Sequence, residues 1–417
     1  MRASITICFC AIVAGVAALP SAPVSATSQA QRGGQPPATA APVKPAPRPD
    51  PQGPVTAEQL AAAIDNLGNI DFPIRSSAAR TGRRAEPAIA VPALLQAVKQ
   101  HKDEYVRFRA LVVLSGFNDP RTRDVMAAVI ADKNDRLRTV AYAYFEHNPD
   151  PAIAPRLLAA LKTEESEFVR PALTRALAAL AATDPTVRQV MPGLVMKGEV
   201  LFRSVVIEAL GDHRGAYALE QLIGIAKMDG PLQDDAALAL GKIGDKSVLP
   251  VLAGLQRTAP RESQPSIAAA ICLLGVNCAS HQPFIANSLR FSITNIGFQA
   301  LVRSAAAALS VLAVAGREDA ATELITQGGP TYDPVRAPIA LAIGTLALRN
   351  PALVQKVLEK EPLRGPAIEL LRDAFDMLEE DFEEERFFAT VRRSYWQSAA
   401  GTPARAASDA LIRGLEF

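Results

Sequence analysis

The sequence predicts an all-α protein, a right-handed α-solenoid of about nine stacked helix pairs that ends in a long C-terminal capping helix. An apolar residue followed by arginine recurs along the chain, and its first five copies lie about 32 residues apart, the length of one helix pair. Hydrophobic residues make up 49% of the chain and aromatic residues only 5%, so small aliphatic side chains that permit close helix packing dominate. The recurring arginines are Arg75, Arg107, Arg138, Arg170, Arg203, Arg303 and Arg336.

The N-terminal residues indicate export. A basic start at Arg2 is followed by the apolar run Ile5–Leu19, and residues 24–26 are the small residues that a signal peptidase prefers. We therefore predict a cleaved signal peptide over residues 1–26 and a periplasmic or extracellular protein. The run is short for a membrane span, so no span is expected after cleavage. The alternative is an uncleaved signal that remains as an anchor.

Residues 27–54 are rich in proline and are predicted to form a disordered linker. Such a segment lacks the apolar residues that could bury a core. A ligand for a proline-binding groove is the functional alternative to a plain spacer.

The repeated unit occupies residues 55–362. In one copy, Pro155–Leu161 reads as a first helix, and a second helix places Val169, Leu173 and Leu177 on one face. A polar residue stands four positions before each of the first five arginines, and the Asp, Asn and Ser residues among them can cap the second helix: Asp71, Asp103, Asn134, Ser166 and Glu199. The arginines are predicted to pair with acids or carbonyls of the adjacent turn as a structural ladder. A row of anion-binding arginines is the alternative.

These units resemble the HEAT-repeat family, and more narrowly the short HEAT-like repeats first named from phycobilisome lyases. The family pattern of a Pro-Leu-Leu helix, an Asp turn, Val-Arg and an Ala-rich helix closed by Leu-Gly stands here as Pro155–Leu180, Arg203–Asp212 and Leu238–Asp245. Two units depart from it: the arginine is missing near Gln233 and near Cys272, and the spacing to Arg303 is stretched. The resemblance concerns the repeat and not a catalytic site, so it implies a fold and transfers no lyase activity.

Only Cys272 and Cys278 remain after signal cleavage. In an oxidising compartment a disulfide is the expected state of this pair, and two free thiols are the alternative. The spacing is not Cys-x-x-Cys, so a catalytic redox role is poorly supported.

Catalytic and metal-binding motifs are not found in the sequence, and we predict no enzyme activity, no metal and no cofactor. The paired His-Glu motifs of the di-iron HEAT-repeat hydroxylases are missing, because none of the four histidines is followed by glutamate. His147 and His213 follow second helices and are interpreted as turn residues. A formal net charge of +1, without a basic stripe on the second helices, argues against nucleic acid as a partner.

Residues 363–417 are predicted to be a helical cap containing one long helix over Leu370–Trp396. An acidic run, Glu379–Glu385, lies on its polar side, and aromatic residues concentrate here. The alternative is an amphipathic helix that docks onto a partner or a second copy. The residues that would dock are Phe382, Glu383, Glu384, Phe388, Tyr395 and Trp396.

Together these features predict a non-enzymatic scaffold of the cell envelope that binds unknown protein partners through the concave face of its second helices. One alternative is a small-ligand-binding or lyase-like accessory enzyme with its site in the groove. The other is a structural component of an envelope assembly, with self-association of the chain.

Overall fold

The computed structural model describes residues 53–417 with the exception of Ile296. The predicted signal peptide (1–26) and almost all of the predicted linker (27–54) lie outside the described residues. The described chain is one compact unit built from helices.

Helices follow one another in chain order, with no strand among the described residues. The first ten are α1 (Ala57–Asn66), α2 (Phe72–Arg84), α3 (Pro87–Gln100), α4 (Glu104–Ser115), α5 (Thr122–Val129), α6 (Asp135–His147), α7 (Ala154–Thr163), α8 (Arg170–Leu180), α9 (Pro185–Leu194) and α10 (Val200–Asp212). The next eight are α11 (Leu219–Ala226), α12 (Gln233–Ile243), α13 (Leu249–Thr258), α14 (Gln264–Leu273), α15 (Cys278–Thr294), α16 (Gln299–Val314), α17 (Glu318–Gly328) and α18 (Arg336–Arg349). The last four are α19 (Pro351–Val357), α20 (Glu361–Leu378), α21 (Asp381–Gln397) and α22 (Pro403–Leu415).

Helices α1–α18 form nine pairs, in which an odd-numbered first helix packs on the even-numbered second helix that follows it. The second helices stack on one another in order from α2 to α20. The predicted all-α array of stacked pairs is therefore confirmed. The predicted domain boundary at residue 363 falls inside α20, which continues the stack of second helices.

Small residues bring successive second helices close together. A Cβ atom added at Gly211 of α10 would lie 2.8 Å from the Cα of Ala239 in α12. One repeat later, a Cβ added at Gly241 would lie 2.5 Å from the Cα of Ala270 in α14. The Leu-Gly step that closes these second helices thus lets two backbones touch.

Replacing Gly241 by alanine is expected to lower the free energy of unfolding by about 1–3 kcal/mol. The added methyl group would clash with the backbone of α14, which cannot move away as a flexible side chain can. Gly224→Ala is the matched control. A Cβ at Gly224 meets nothing within 4 Å, so alanine there should stabilise α11 by up to about 1 kcal/mol. Urea denaturation followed by circular dichroism measures both. Equal stability of the two variants would show that the helices do not approach this closely.

The arginine ladder lies along the turns that join first and second helices. Arg107 donates from Nε to the carbonyl of Val98 at 2.8 Å and also pairs with Asp132 of the next repeat at 2.7 Å. The others bond in the same way: Arg75 to the carbonyl of Asn69, Arg138 to the carbonyl of Asp132 and to Glu164, Arg203 to the carbonyl of Val195, and Arg336 to the carbonyl of Gly329 and to Asp373. Arg170 lies instead over the ring of Phe202, 4.1 Å from its centroid.

Glutamine replaces arginine in the two repeats where the sequence lacks it. Gln233 donates to the carbonyl of Ala226 at 3.1 Å, and Gln264 donates to the carbonyl of Ala259 at 2.8 Å. A side-chain amide therefore satisfies the carbonyl at the end of the first helix as the guanidinium does elsewhere. These two repeats keep the ladder bond, although the sequence pattern breaks.

The predicted single helix over Leu370–Trp396 is wrong. Helix α20 ends at Leu378, Glu379 adopts a left-handed conformation with φ 50°, and α21 begins at Asp381. The break redirects α21 so that it contacts α4 and α6 near the start of the array and α18 and α19 near its end.

Candidate functional site

The acidic helix α21 is held by basic side chains of the first repeats. Glu385 pairs with Arg83 of α2 at 2.7 Å, and both side chains are buried, with exposed fractions of 0% and 7%. Asp381 pairs with Arg109 of α4. The carboxylate just before α21, that of Glu380, lies 2.9 Å from Arg175 of α8. The cation surface that α21 needs is thus supplied by the protein's own second helices.

The residues predicted to dock onto a partner lie mostly inside the protein. Phe382 and Glu383 are buried, and Glu384, Phe388 and Tyr395 are partly buried. Phe382 stacks on His147, and Phe388 stacks on Phe417 with 4.1 Å between the ring centroids. Of the six, only Trp396 is largely exposed, at 76%. This burial argues against the alternative of an external docking helix, because α21 packs against α4 and α6 of its own chain.

A buried ion-pair cluster lies where α6, α10, α18 and α21 come together. Glu146, only 2% exposed, pairs with Arg349 at 2.7 Å and with His213 at 3.3 Å. Burial works to raise the pKa of Glu146, but the His213 hydrogen bond and the charge of Arg349 hold that pKa well below its usual range. His147 and His213, interpreted from the sequence as turn residues, both reach this cluster.

Three members of the cluster carry donor atoms of the kind that bind metals. Atoms of Glu146, His147 and Glu383 lie within 4.8 Å of one another. However, Arg349 bonds to Glu146, and Arg386 lies 2.6 Å from the second oxygen of Glu383. Two guanidinium groups already neutralise these carboxylates and oppose the approach of a further cation. The arrangement is that of an ion-pair network that joins distant repeats.

Glu384 differs from its neighbours on α21. Burial, with the Asp381 carboxylate close by, raises the pKa of Glu384 to about 8. Glu383, by contrast, has a lowered pKa, because His147 and Arg386 outweigh its burial. The two neighbouring carboxyls of α21 therefore have pKa values shifted in opposite directions, that of Glu384 upward and that of Glu383 downward.

The structure joins Cys272, near the end of α14, to Cys278, the first residue of α15, in a disulfide with 4.5 Å between the Cα atoms. The enclosed turn contains Gly275 and Asn277, both with positive φ. The link holds the irregular repeat that the sequence showed near Cys272.

A cavity of about 380 Å³ opens beside the cluster, between the second helices α10, α12, α16 and α18. Its walls combine charged residues with an apolar face, and it is the part of the second-helix surface that sequence reasoning did not single out. The charged residues are Glu208, Asp212, Asp235, Lys242, Arg303 and Arg349. Arg303, predicted to belong to the ladder, lies here instead.

Among the described residues, no single helix has both the length and the apolar character needed to cross a membrane. The pair α18 and α19 passes that test together, by length and composition only, with a bend of 114° between the two helices.

Residues 59–146 match the family model described as HEAT repeats. Among solved structures, YibA of Escherichia coli is similar at 19% identity over 53% of this chain and 83% of its own, with a TM-score of 0.40. An engineered protein is similar at 16% identity over 86% and 99% of the two chains, with a TM-score of 0.32. A chain from work on a phosphorylation switch between cadherin and β-catenin matches at 11% identity over 87% and 95%, with a TM-score of 0.30. No sequence among the curated proteins matches this chain.

The stacked helix pairs define the class, an α-helical repeat protein. The match to HEAT repeats covers residues 59–146, as the sequence predicted for this part of the chain, and the helix pairs continue beyond it. The narrower resemblance to the repeats of phycobilisome lyases stays a prediction.

Proposed function

We propose that this protein is a non-enzymatic protein-interaction scaffold of the cell envelope. The HEAT-repeat array supports an interaction role, since such arrays present long surfaces to partners. The N-terminal pattern that predicts a signal peptide supports a location in the cell envelope. The lack of catalytic motifs in the sequence supports a non-enzymatic role. We place the binding surface away from the predicted concave face of the second helices, because α21 packs against the second helices α4, α6 and α18.

The observation that carries the proposal is a row of exposed apolar side chains on one edge of the array. Phe168, Leu201 and Met228 are 88%, 76% and 53% exposed, and we call these three the turn ridge. Phe168 and Met228 lie in the turn between the first and second helix of their repeats, and Leu201 is the second residue of α10 in the repeat between them. Single exposed apolar residues are common in folded proteins, but a row of them on one edge is typical of an interaction surface.

The charges around the turn ridge indicate the chemistry of the partner. The same three turns expose four carboxylates and only two lysines: Glu165, Glu167, Glu199 and Asp229, against Lys197 and Lys227. A partner segment with apolar anchors and an excess of lysine or arginine would complement both features. The proposed partner is therefore a protein with a basic amphipathic segment.

The experiment is crosslinking of the full-length protein in its native envelope fraction, with a photoreactive residue at Phe168 or Leu201. One stoichiometric partner, crosslinked through a basic segment, is the expected result. Phe168→Ser and Leu201→Ser should each weaken its binding roughly tenfold or more, as truncation of an apolar anchor does. The captured chain should begin at Thr27, since cleavage is predicted after Ala26.

Tyr332→Ser is the matched control, because Tyr332 is 84% exposed in a turn of a distant repeat, between α17 and α18. It should leave binding unchanged. Equal binding by all three serine variants would overturn the turn ridge as the binding surface. Crosslinks between two copies of the chain alone would replace the proposal with a self-assembling envelope component.

A further inference from the structure

Arg303 stands at a ladder position and makes no ladder contact. It follows a buried apolar residue, Val302, as the other ladder arginines do, yet its side chain is exposed toward the cavity. No described residue forms a hydrogen bond or a salt bridge with it. A guanidinium that the fold leaves without a partner at the wall of a cavity is available to a ligand.

The local structure explains why Arg303 does not bond to the end of the first helix of its repeat. The carbonyl of Phe291, near the end of α15, already accepts hydrogen bonds from Asn295 at 2.6 Å and from Thr294 at 3.1 Å. Five of the other ladder arginines donate to a carbonyl at or just after the end of the first helix: Arg75, Arg107, Arg138, Arg203 and Arg336.

A carboxylate without a bonded partner faces the same cavity. Glu208 of α10 makes no hydrogen bond or salt bridge with a described residue; the charges of Arg175 and Arg349 act on it from a longer distance, and it does not pair with Arg303. Asp235 of α12 lies on the same acidic side, where its carboxylate accepts a hydrogen bond from Ser204 at 2.6 Å. The cavity therefore has an acidic side and a separate basic residue, and neither satisfies the other.

The remaining charges of the cavity are already neutralised. Lys242 pairs with Asp212 at 2.7 Å, and Arg349 pairs with Glu146 and lies 3.6 Å from Asp212. Between the charged groups the walls are apolar, formed by Leu238, Ala307, Val311, Val314, Pro338 and Leu341. A ligand that fits has an apolar body and two charged ends of opposite sign. A volume of about 380 Å³ is at the small end of ligand pockets, which span about 300–1,000 Å³.

We propose that this cavity binds a small zwitterion with an apolar body, namely a short apolar peptide held by both of its free termini. The ammonium of the peptide lies against Glu208 and Asp235, and its carboxylate lies against Arg303. The apolar side chains of the peptide pack on the α16 and α18 walls. This site is separate from the turn ridge, so either could fail without the other.

The test is isothermal titration of the full-length protein with the tripeptide alanine-leucine-alanine, in free, N-acetylated and C-amidated forms. Acetylation and amidation should each weaken binding roughly tenfold or more, since each leaves a charge of the protein without its partner. Arg303→Gln should weaken binding of the free peptide as much as amidation does. In that variant, amidation of the peptide should not weaken binding any further. Glu208→Gln should weaken binding of the free peptide as much as acetylation does, and acetylation should not weaken the binding to that variant any further.

Arg413→Gln is the matched control, because Arg413 is 73% exposed on α22 and pairs only with Asp409 of the same helix. Its affinity for the peptide should equal that of the unmodified protein. Unchanged melting temperatures of all variants would show that the fold is intact. The proposal is overturned if the free tripeptide does not bind, if Arg303→Gln binds it as well as Arg413→Gln does, or if only one of the two terminal charges matters.

Discussion

Replacing Glu146 by alanine is expected to lower the free energy of unfolding by about 3–5 kcal/mol, the usual cost of removing one partner from a buried ion pair. The side chain is 2% exposed and bonds to Arg349 at 2.7 Å. Its loss leaves the guanidinium of Arg349 with Asp212, at 3.6 Å, as its remaining salt-bridge partner, and with the more distant charges of Glu383 and Glu208. The Glu146–Arg349 pair also joins α6 to α18, so the variant should loosen the contact between distant repeats. Chemical denaturation followed by circular dichroism measures the change.

The matched control is Glu104→Ala. Glu104 also pairs with a cation, Lys133, at 2.7 Å, but the two side chains are 48% and 80% exposed. Water and salt screen such a pair, so its loss should change the free energy of unfolding by less than about 1 kcal/mol. Similar small losses in the two variants would contradict a structural role for the buried cluster.

The pH dependence of the Glu146 variant provides a second check. The pKa of Glu146 is lowered in the folded protein, so its contribution is present above the unfolded value of 4.5 and is lost as the pH falls further. The difference in stability between the unmodified protein and Glu146→Ala should therefore narrow in acid. A constant difference from neutral pH into strong acid would mean that packing, and not the ion pair, stabilises this region.

The repeat architecture was predictable because it depends on contacts close in sequence. An apolar residue followed by arginine indicates a side-chain bond to the end of the preceding helix. Leu210-Gly211 indicates close contact with the next second helix, one repeat away. Such local rules recur with the period of the repeat, and the period is visible in one sequence. Even Gln233 and Gln264, which break the pattern, obey the same bonding rule, because an amide can donate where a guanidinium does.

The position of α21 was not predictable in this way, because its partners lie hundreds of residues away. Arg83, Arg109 and Arg175 fall at unrelated offsets from the ladder arginines, so they form no stripe in a repeat alignment. The available signal was complementary charge: basic residues on the second helices of the early repeats and an acidic run near the C-terminus. The cavity was missed for a related reason, since the release of Arg303 depends on which side chains reach the carbonyl of Phe291.

Stability is expected to fall as the pH rises from about 4.5 to about 8, in the range where Glu384 is protonated in the folded protein and ionised in the unfolded chain. The folded state then binds more protons than the unfolded state, so the free energy of unfolding decreases with pH. The contribution is fully present below 4.5, the value of the unfolded group, and is lost as the pH passes through about 8. The cause is burial of Glu384 beside Asp381, which disfavours a second negative charge.

Glu384→Gln should remove this dependence, since the amide keeps the shape of the protonated carboxyl and cannot ionise. At a pH above 8 the variant should be more stable than the unmodified protein by about 2–4 kcal/mol, and near pH 4 the two should be alike. Denaturation curves across this range measure the difference. Glu379→Gln is the matched control, because Glu379 belongs to the same acidic run but is exposed, and it should keep the pH profile of the unmodified protein. If Glu384→Gln shows that same profile, Glu384 is ionised in the folded protein, and α21 is held more loosely than the structure shows.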